Sequence, residues 1–237
     1  YGRALTGVVN MITKDGGDFF DGFLNIYTGD HSTKDKRFKN LSTYNPLNDR
    51  SISANISGPL IKKRLTFYSS GRLNLSDGWM YGRQTFTMYG DTVFTDENGN
   101  KIHEFGEPIN TPKYEPMNWY ESWSNQNKLT LKILPTSKLR LNTIFNSSIG
   151  QSYDHFRQMA QEGRKRNYNS GQFLGLNLSH SFSSMSFVEI NASQYIHKNE
   201  SYLFEDPLDQ RYVTPDSLFW AHVIGEVPQN VQDKFGE

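Results

Sequence analysis

Hydrophobic and polar side chains alternate with a period of two residues along most of the chain. This is the period of a β-strand, which points successive side chains to opposite faces, and it differs from the period of about 3.6 residues in a helix. Each such stretch therefore predicts a strand with one apolar and one polar face. Seven strands are predicted, a weaker one at 23–28 and six at 51–57, 65–74, 128–133, 139–149, 174–178 and 188–196.

The connections between the predicted strands alternate between long and short. In chain order they are 29–50, 59–64, 76–121, 134–138, 151–171, the hairpin turn Ser183-Ser184 and a last loop from Asn199 onward. Long unstructured loops are uncommon in compact soluble domains. Transmembrane β-barrels, in contrast, have short turns at one rim and long loops at the other. A strand of about eleven residues, tilted by about 40°, rises about 28 Å, which matches the hydrocarbon core of a bilayer.

The fold class predicted from these patterns is all-β. We expect a partial antiparallel transmembrane β-barrel, about seven strands of a larger barrel, with long exterior loops and short periplasmic turns. Aromatic residues also gather near the predicted strand ends, where the aromatic girdles of a barrel lie. The alternative is a secreted or surface β-sandwich, in which the alternation reflects one core face and one hydrated face. Such a sandwich would bind carbohydrate or protein through an aromatic loop.

Composition narrows the range of possible functions. Only 35% of the residues are hydrophobic but 14% are aromatic, a balance that disordered chains lack. Lysine plus arginine equals aspartate plus glutamate at 25 each, so no net field attracts nucleic acid, and no nucleic-acid partner is expected. The absence of cysteine excludes disulfides and thiol chemistry. Because the chain starts at Tyr1 without an initiator methionine or a signal peptide, we interpret it as an internal fragment.

The first residues carry a family resemblance. The run Gly7-Val-Val-Asn10-Met-Ile-Thr13-Lys14, followed by Asp-Gly-Gly, resembles the last strand of the plug domain in TonB-dependent outer-membrane receptors. The segment from Ile56 to Tyr68, which contains Gly58-Pro59, is similar to the first periplasmic turn of the same family. Gly58 and Pro59 are expected to end a strand, where a ladder hydrogen-bond donor is no longer needed.

The resemblance implies a function and a location. Residues 1–17 would be the C-terminal end of the plug domain, and 18–237 the N-terminal part of an incomplete barrel. The complete protein would be a receptor in the bacterial outer membrane that takes up a scarce solute such as a siderophore, a vitamin, a glycan or a peptide.

The resemblance also implies partners. Outer-membrane lipid would surround the barrel, and a small solute or an oligomeric substrate would be transported. The TonB energy-coupling complex would act through an N-terminal segment absent from this chain. A surface lipoprotein accompanies the barrel in some glycan importers of the family, and is a further candidate partner. The isolated chain should aggregate, since both end strands would be open edges.

Aromatic residues in the predicted loop 76–121 are candidate substrate-binding residues, because rings offer apolar contact area at low entropic cost. The candidates are Trp79, Tyr81, Tyr89, Trp119 and Tyr120. The alternative is that these rings pack the loop itself.

The same loop contains a weak calcium motif. Asp96, Asn98, Asn100 and Glu107 occupy ligand positions of a calcium-binding loop, but Lys101 stands where that motif requires glycine. The Asn98-Gly99 pair favours a β-hairpin instead.

Catalysis has little support in the sequence. The histidines are scattered without a zinc-binding spacing, and no nucleophile or nucleotide-binding motif occurs, so we expect no enzyme activity, no cofactor and no resident metal. The basic run Arg164-Lys165-Arg166 is predicted to be a solvated loop, or to meet an anionic surface or substrate.

Overall fold

A seven-stranded antiparallel sheet dominates the computed structural model of the chain, which describes residues 14–87, 93–95, 101–103, 108–155 and 157–207. The strand order is β1-β2-β3-β8-β9-β10-β11. The strands are β1 (Asp21–Gly29), β2 (Asp49–Ile61), β3 (Leu65–Ser76), β4 (Tyr81–Phe86), β5 (Val93–Thr95), β6 (Lys101–His103), β7 (Pro108–Pro116), β8 (Tyr120–Leu134), β9 (Ser137–Gly150), β10 (Arg166–Ser181) and β11 (Phe187–Tyr202). One 3-10 turn, Gln161–Gly163, precedes β10.

The sheet confirms the all-β class and all seven predicted strands. Each strand pairs with its neighbours in chain order, except that β3 pairs with β8 across the long connection between them. Among the described strands, β1 and β11 have a sheet partner on one side only, as predicted for the two open edges.

The connection between β3 and β8 was predicted as one long loop, and this is wrong in part. It contains two small hairpins, β4 paired with β7 and β5 paired with β6. The second hairpin confirms the strand pairing predicted on either side of Asn98-Gly99, while these two residues lie outside the described part of the chain. The first hairpin was not predicted because residues 87–107 separate its two strands in the sequence. The backbone nitrogens of Thr85 and Phe86 also donate to the carbonyl of Met159, at 3.0 and 3.2 Å.

Three other predicted boundaries need correction. Gly58 and Pro59 do not end β2, because the strand continues to Ile61 and its ladder with β3 shifts register between Pro59 and Ile61. The turn at Ser183-Ser184 is wider than two residues, since β10 ends at Ser181 and β11 begins at Phe187. The preceding loop is shorter than predicted, because β10 starts at Arg166 rather than after residue 171.

One face of the sheet is apolar and remains exposed. Residues paired directly across antiparallel strands share a face, so the register assigns one set of side chains to this apolar face. It includes Leu24, Ile26, Ile52, Ile56, Leu73, Trp123, Leu129, Phe145, Leu174, Leu176, Ile190 and Ile196. All twelve are at least 36% exposed. The buried hydrophobic residues in the described chain, Leu41, Met117 and Ala160, all lie outside the sheet.

The opposite face is polar and is crossed by side-chain hydrogen bonds. Ser51 donates to Asn74 at 2.8 Å, and Asn74 donates in turn to Ser122 at 3.2 Å. Farther along, Arg140 donates to Asn177 at 2.8 Å. These bonds link side chains of adjacent strands, so the polar face is tied together across the sheet.

A small polar cluster interrupts the apolar face. Ser69 donates to Asn127 at 2.7 Å, and Asn127 donates to Thr143 at 3.3 Å. Asn125 extends the cluster by donating to the carbonyl of Ser70 at 3.3 Å. Because the amides and hydroxyls satisfy one another, the cost of placing them on an apolar surface is reduced.

The segment preceding β1 lies on the polar face, at the edge where the short turns are. Asp15 forms an ion pair with Lys128, whose side chain points to this face and is only 9% exposed. A β-carbon on Gly16 would lie 2.8 Å from the backbone nitrogen of Phe67, so the chain can approach β3 this closely only at glycine. Residues 15–18 also line a cavity of about 230 Å³ together with Thr66 and Thr130, both buried.

The plug-like motif falls mainly outside the described residues. Gly7, Asn10 and Thr13 of the plug-like motif lie there, whereas Lys14 is described and pairs with Asp21 at 2.7 Å. Within the described part of the chain, no helix is long and apolar enough to cross a membrane.

Candidate binding site at the long-loop edge of the sheet

Three neighbouring strands build a cavity at the edge of the sheet where the long connections lie. β8 begins, β9 ends and β10 begins at this edge, so their polar-face residues come together there. The cavity has a volume of about 360 Å³. Its lining includes Asn118, Trp119, Tyr120, Tyr153, Asn167 and Asn169.

Aromatic rings form part of its walls. Tyr120 and Tyr153 are 47% and 42% exposed, so their surfaces are available to a ligand. Trp119 is half-buried, and its indole nitrogen donates to the side-chain oxygen of Gln151 at 2.9 Å. The Tyr153 hydroxyl is hydrogen-bonded to Nδ1 of His155 at 2.8 Å. Each of these two partners limits the orientations that its ring can adopt.

Arg164 is buried beside the cavity and positions Gln151, the hydrogen-bond partner of Trp119. It is 2% exposed, and one guanidinium nitrogen donates to the side-chain oxygen of Gln151 at 3.2 Å, while the Gln151 amide donates back to the Arg164 carbonyl at 2.9 Å. Further guanidinium donors reach the carbonyls of Ser152 and Pro116, both at 3.1 Å. Burial lowers the pKa of Arg164 to about 10. Arg164 is therefore a structural residue, and the prediction of a solvated or anion-facing basic run is wrong for it.

The cavity is neutral. Among the described residues, the side chains that line it are aromatic, amide, hydroxyl and aliphatic, and none of them carries a formal charge. Such a lining can stack against flat apolar surface and can donate and accept hydrogen bonds, but it does not offset the charge of an ionic ligand.

No match to a known protein was found. Comparisons with protein-family models, curated proteins and solved structures all gave none.

The aromatic residues predicted to bind substrate lie in different parts of the structure. Trp119 and Tyr120 lie together in the cavity. Trp79 packs instead against Phe38 of the first long connection, with ring centroids 5.9 Å apart. Tyr89 lies outside the described residues, as do Asp96, Asn98, Asn100 and Glu107 of the weak calcium motif. In the parts of the chain that are described, no cluster of acidic and histidine side chains suits a metal ion.

Tyr81 joins two long connections rather than lining the cavity. Its hydroxyl donates to Asn48 at 2.6 Å, and the fully buried Asn48 amide donates to the carbonyl of Gly78 at 2.9 Å. Burial raises the pKa of Tyr81 to about 12, with further contributions from nearby carboxylates, of which Asp77 is the largest. This contact fixes the root of the β3–β8 connection against the β1–β2 connection.

Sequence reasoning missed Tyr153, Gln151 and the two asparagines Asn167 and Asn169. Asn167 and Asn169 fell inside the predicted loop 151–171, although they alternate with Tyr168 in the strand period. That short alternation was the available signal. Gln151 and Tyr153 lie just beyond β9 and carried no comparable pattern.

Proposed function

We propose that this chain is part of a TonB-dependent outer-membrane receptor that imports a scarce solute, with the described sheet forming part of the barrel wall. The observation that carries the proposal is the path of residues 14–18. This segment follows the plug-like motif and lies on the polar face at the short-turn edge, held by the Asp15–Lys128 ion pair. A plug inside a barrel requires this arrangement, because its last residues must leave the lumen beside the first strand.

The two faces of the sheet support the same proposal. The exposed aliphatic side chains would meet lipid, and the polar face would line the lumen. A soluble β-sandwich would instead need a second layer over the apolar face to form its core. Among the described residues no such layer covers it, so this alternative has less support.

Strand length suits a membrane wall. β8 and β9 have 15 and 14 residues. At a rise of about 3.3 Å per residue and a tilt of about 40°, such strands span about 36 Å, which covers a hydrocarbon core of about 30 Å and part of both headgroup regions. The long connections, including the cavity around Trp119 and Tyr120, would then lie on the exterior side, where solute arrives.

The proposal is tested by asking which face meets lipid. The complete protein that contains this chain is expressed with a single cysteine at Leu176→Cys on the apolar face or Ser193→Cys on the polar face, and each cysteine is labelled with a fluorophore. In vesicles of brominated phospholipid, the label at position 176 should be quenched and the label at position 193 should not.

A second measurement is the behaviour of the unlabelled protein. We expect it in the outer-membrane fraction, with migration on gels that changes after boiling, as folded barrels show. A protein found only in the soluble fraction, or labels at 176 and 193 that brominated lipid quenches equally, would overturn the proposal.

A further inference from the structure

We propose that the cavity around Trp119 binds a neutral carbohydrate, with the Trp119 and Tyr120 rings as stacking surfaces and the flanking asparagine amides as hydrogen-bond partners. This inference rests on the proposed receptor function, because it names the class of solute that the exterior edge of the wall would take.

The lining chemistry selects among ligand classes. A ferric chelate or an acidic peptide carries charge, and a charged group that loses water needs an opposite charge or several directed donors nearby. The lining formed by the described residues supplies no charged side chain. A sugar ring carries no charge, presents apolar C–H faces to aromatic rings, and presents hydroxyls that both donate and accept. Amide side chains match such hydroxyls, because each amide has a donor end and an acceptor end.

The site is also held in place before any ligand arrives. Trp119 is fixed through Gln151, and Gln151 is fixed by two hydrogen bonds with the buried Arg164. The asparagines Asn167 and Asn169 project from β10, which pairs with β9 and β11 on its two sides. Groups fixed in this way lose little conformational freedom on binding, which favours affinity for a ligand of matching shape. A volume of about 360 Å³ accommodates one or two sugar rings of a longer chain.

The test uses the complete protein in detergent micelles, screened against an array of neutral oligosaccharides, acidic oligosaccharides, short peptides and ferric chelates. We expect binding to at least one neutral oligosaccharide. Trp119→Ala should weaken that binding by about tenfold or more, the loss expected when an aromatic anchor is truncated. Trp123→Ala is the matched control, because Trp123 lies four residues farther along the chain, in β8, with its ring on the apolar face. It should leave the affinity unchanged.

Folding is checked for each variant by heat-modifiable migration, so that loss of the barrel is not mistaken for loss of the site. A folded wild-type protein that binds only acidic oligosaccharides, peptides or chelates, or that binds nothing on the array, would overturn the carbohydrate proposal and leave the receptor proposal standing. Binding of a neutral oligosaccharide that Trp119→Ala retains in full would overturn the placement of the site. A soluble wild-type protein without heat-modifiable migration would count against the receptor function itself.

Discussion

Placing a charge at Leu176 tests whether the apolar face lies in lipid. Leu176 is 45% exposed on β10, in register with Leu141 and Ala192 on the two neighbouring strands, and it lies between Leu174 and Leu178 along its own strand. Its four nearest neighbours on this face are therefore aliphatic, and the nearest polar side chains, Thr143 and Gln194, lie diagonally, in register with Leu174. An arginine at this position would have no acceptor on these four side chains and no carboxylate paired with it in the register, so it would depend mainly on its environment for solvation.

The expected cost follows from the position of Leu176 along the strand. It lies between two and three residues from the middle of β10, which at a rise of about 3.3 Å per residue and a tilt of about 40° corresponds to about 6 Å of depth. Arginine on the lipid face of a barrel costs about 2–4 kcal/mol near the bilayer midplane. Such a loss shifts the folding equilibrium by about 30- to 700-fold.

The assay is denaturant unfolding of the complete protein in lipid vesicles, with the folded fraction followed by heat-modifiable migration. Ser193→Arg is the control, because Ser193 lies on the polar face opposite Gly175, where no side chain opposes it. We expect this control to fold nearly as well as the wild type. Equal destabilisation by Leu176→Arg and Ser193→Arg, or none by Leu176→Arg, would refute the assignment of the two faces.

Three further predictions concern the edges of the sheet. Because the pKa of Tyr81 is raised to about 12, the contact it makes stabilises the folded state below about pH 10 and is lost as the pH rises through about 12; an alkaline titration of phenolate absorbance should contain a late component, and Tyr81→Phe should reduce it by one tyrosine. Gly78 has φ +72° and approaches the Asn118 side chain, so Gly78→Ala should lower the unfolding free energy by at least about 1 kcal/mol; an unchanged denaturant midpoint would contradict this. Lys128→Met should release the segment that contains Asp15 and speed its cleavage by trypsin in the folded protein, whereas a wild-type cleavage rate would argue that the ion pair does not hold it.

The seven strands of the sheet could be predicted from the sequence because the pattern that indicates each strand is local. Each strand contains its own alternation, as in the residues around Leu129 or Leu176, and antiparallel neighbours in chain order need little more to define the topology. The bulge at Pro59 was missed for a different reason. A proline usually ends a ladder, but here the strand shifts register and continues to Ile61.

The site was predicted only in part, because contacts distant in sequence assemble it. Trp119 and Tyr120 were found as aromatic residues beside a strand end. From the sequence, Arg164 is expected to be a charged surface residue. Only the fold places its guanidinium donors against backbone carbonyls of two other segments. Likewise, no pattern in the sequence indicates that Gln151 connects Arg164 to Trp119.

Because β3 pairs directly with β8, the sheet is continuous without the long connection between these two strands. The ladder runs without interruption from Leu65 and Leu131 to Ser76 and Tyr120. Residues 76 and 120 are thus only about 5 Å apart at their α-carbons, a gap that a short hairpin turn could close. The register does not depend on the length of the chain inserted between them. The connection between β3 and β8 is therefore free to lengthen, shorten or be exchanged during evolution, so that proteins sharing this sheet can acquire different loop surfaces without any change in the strands.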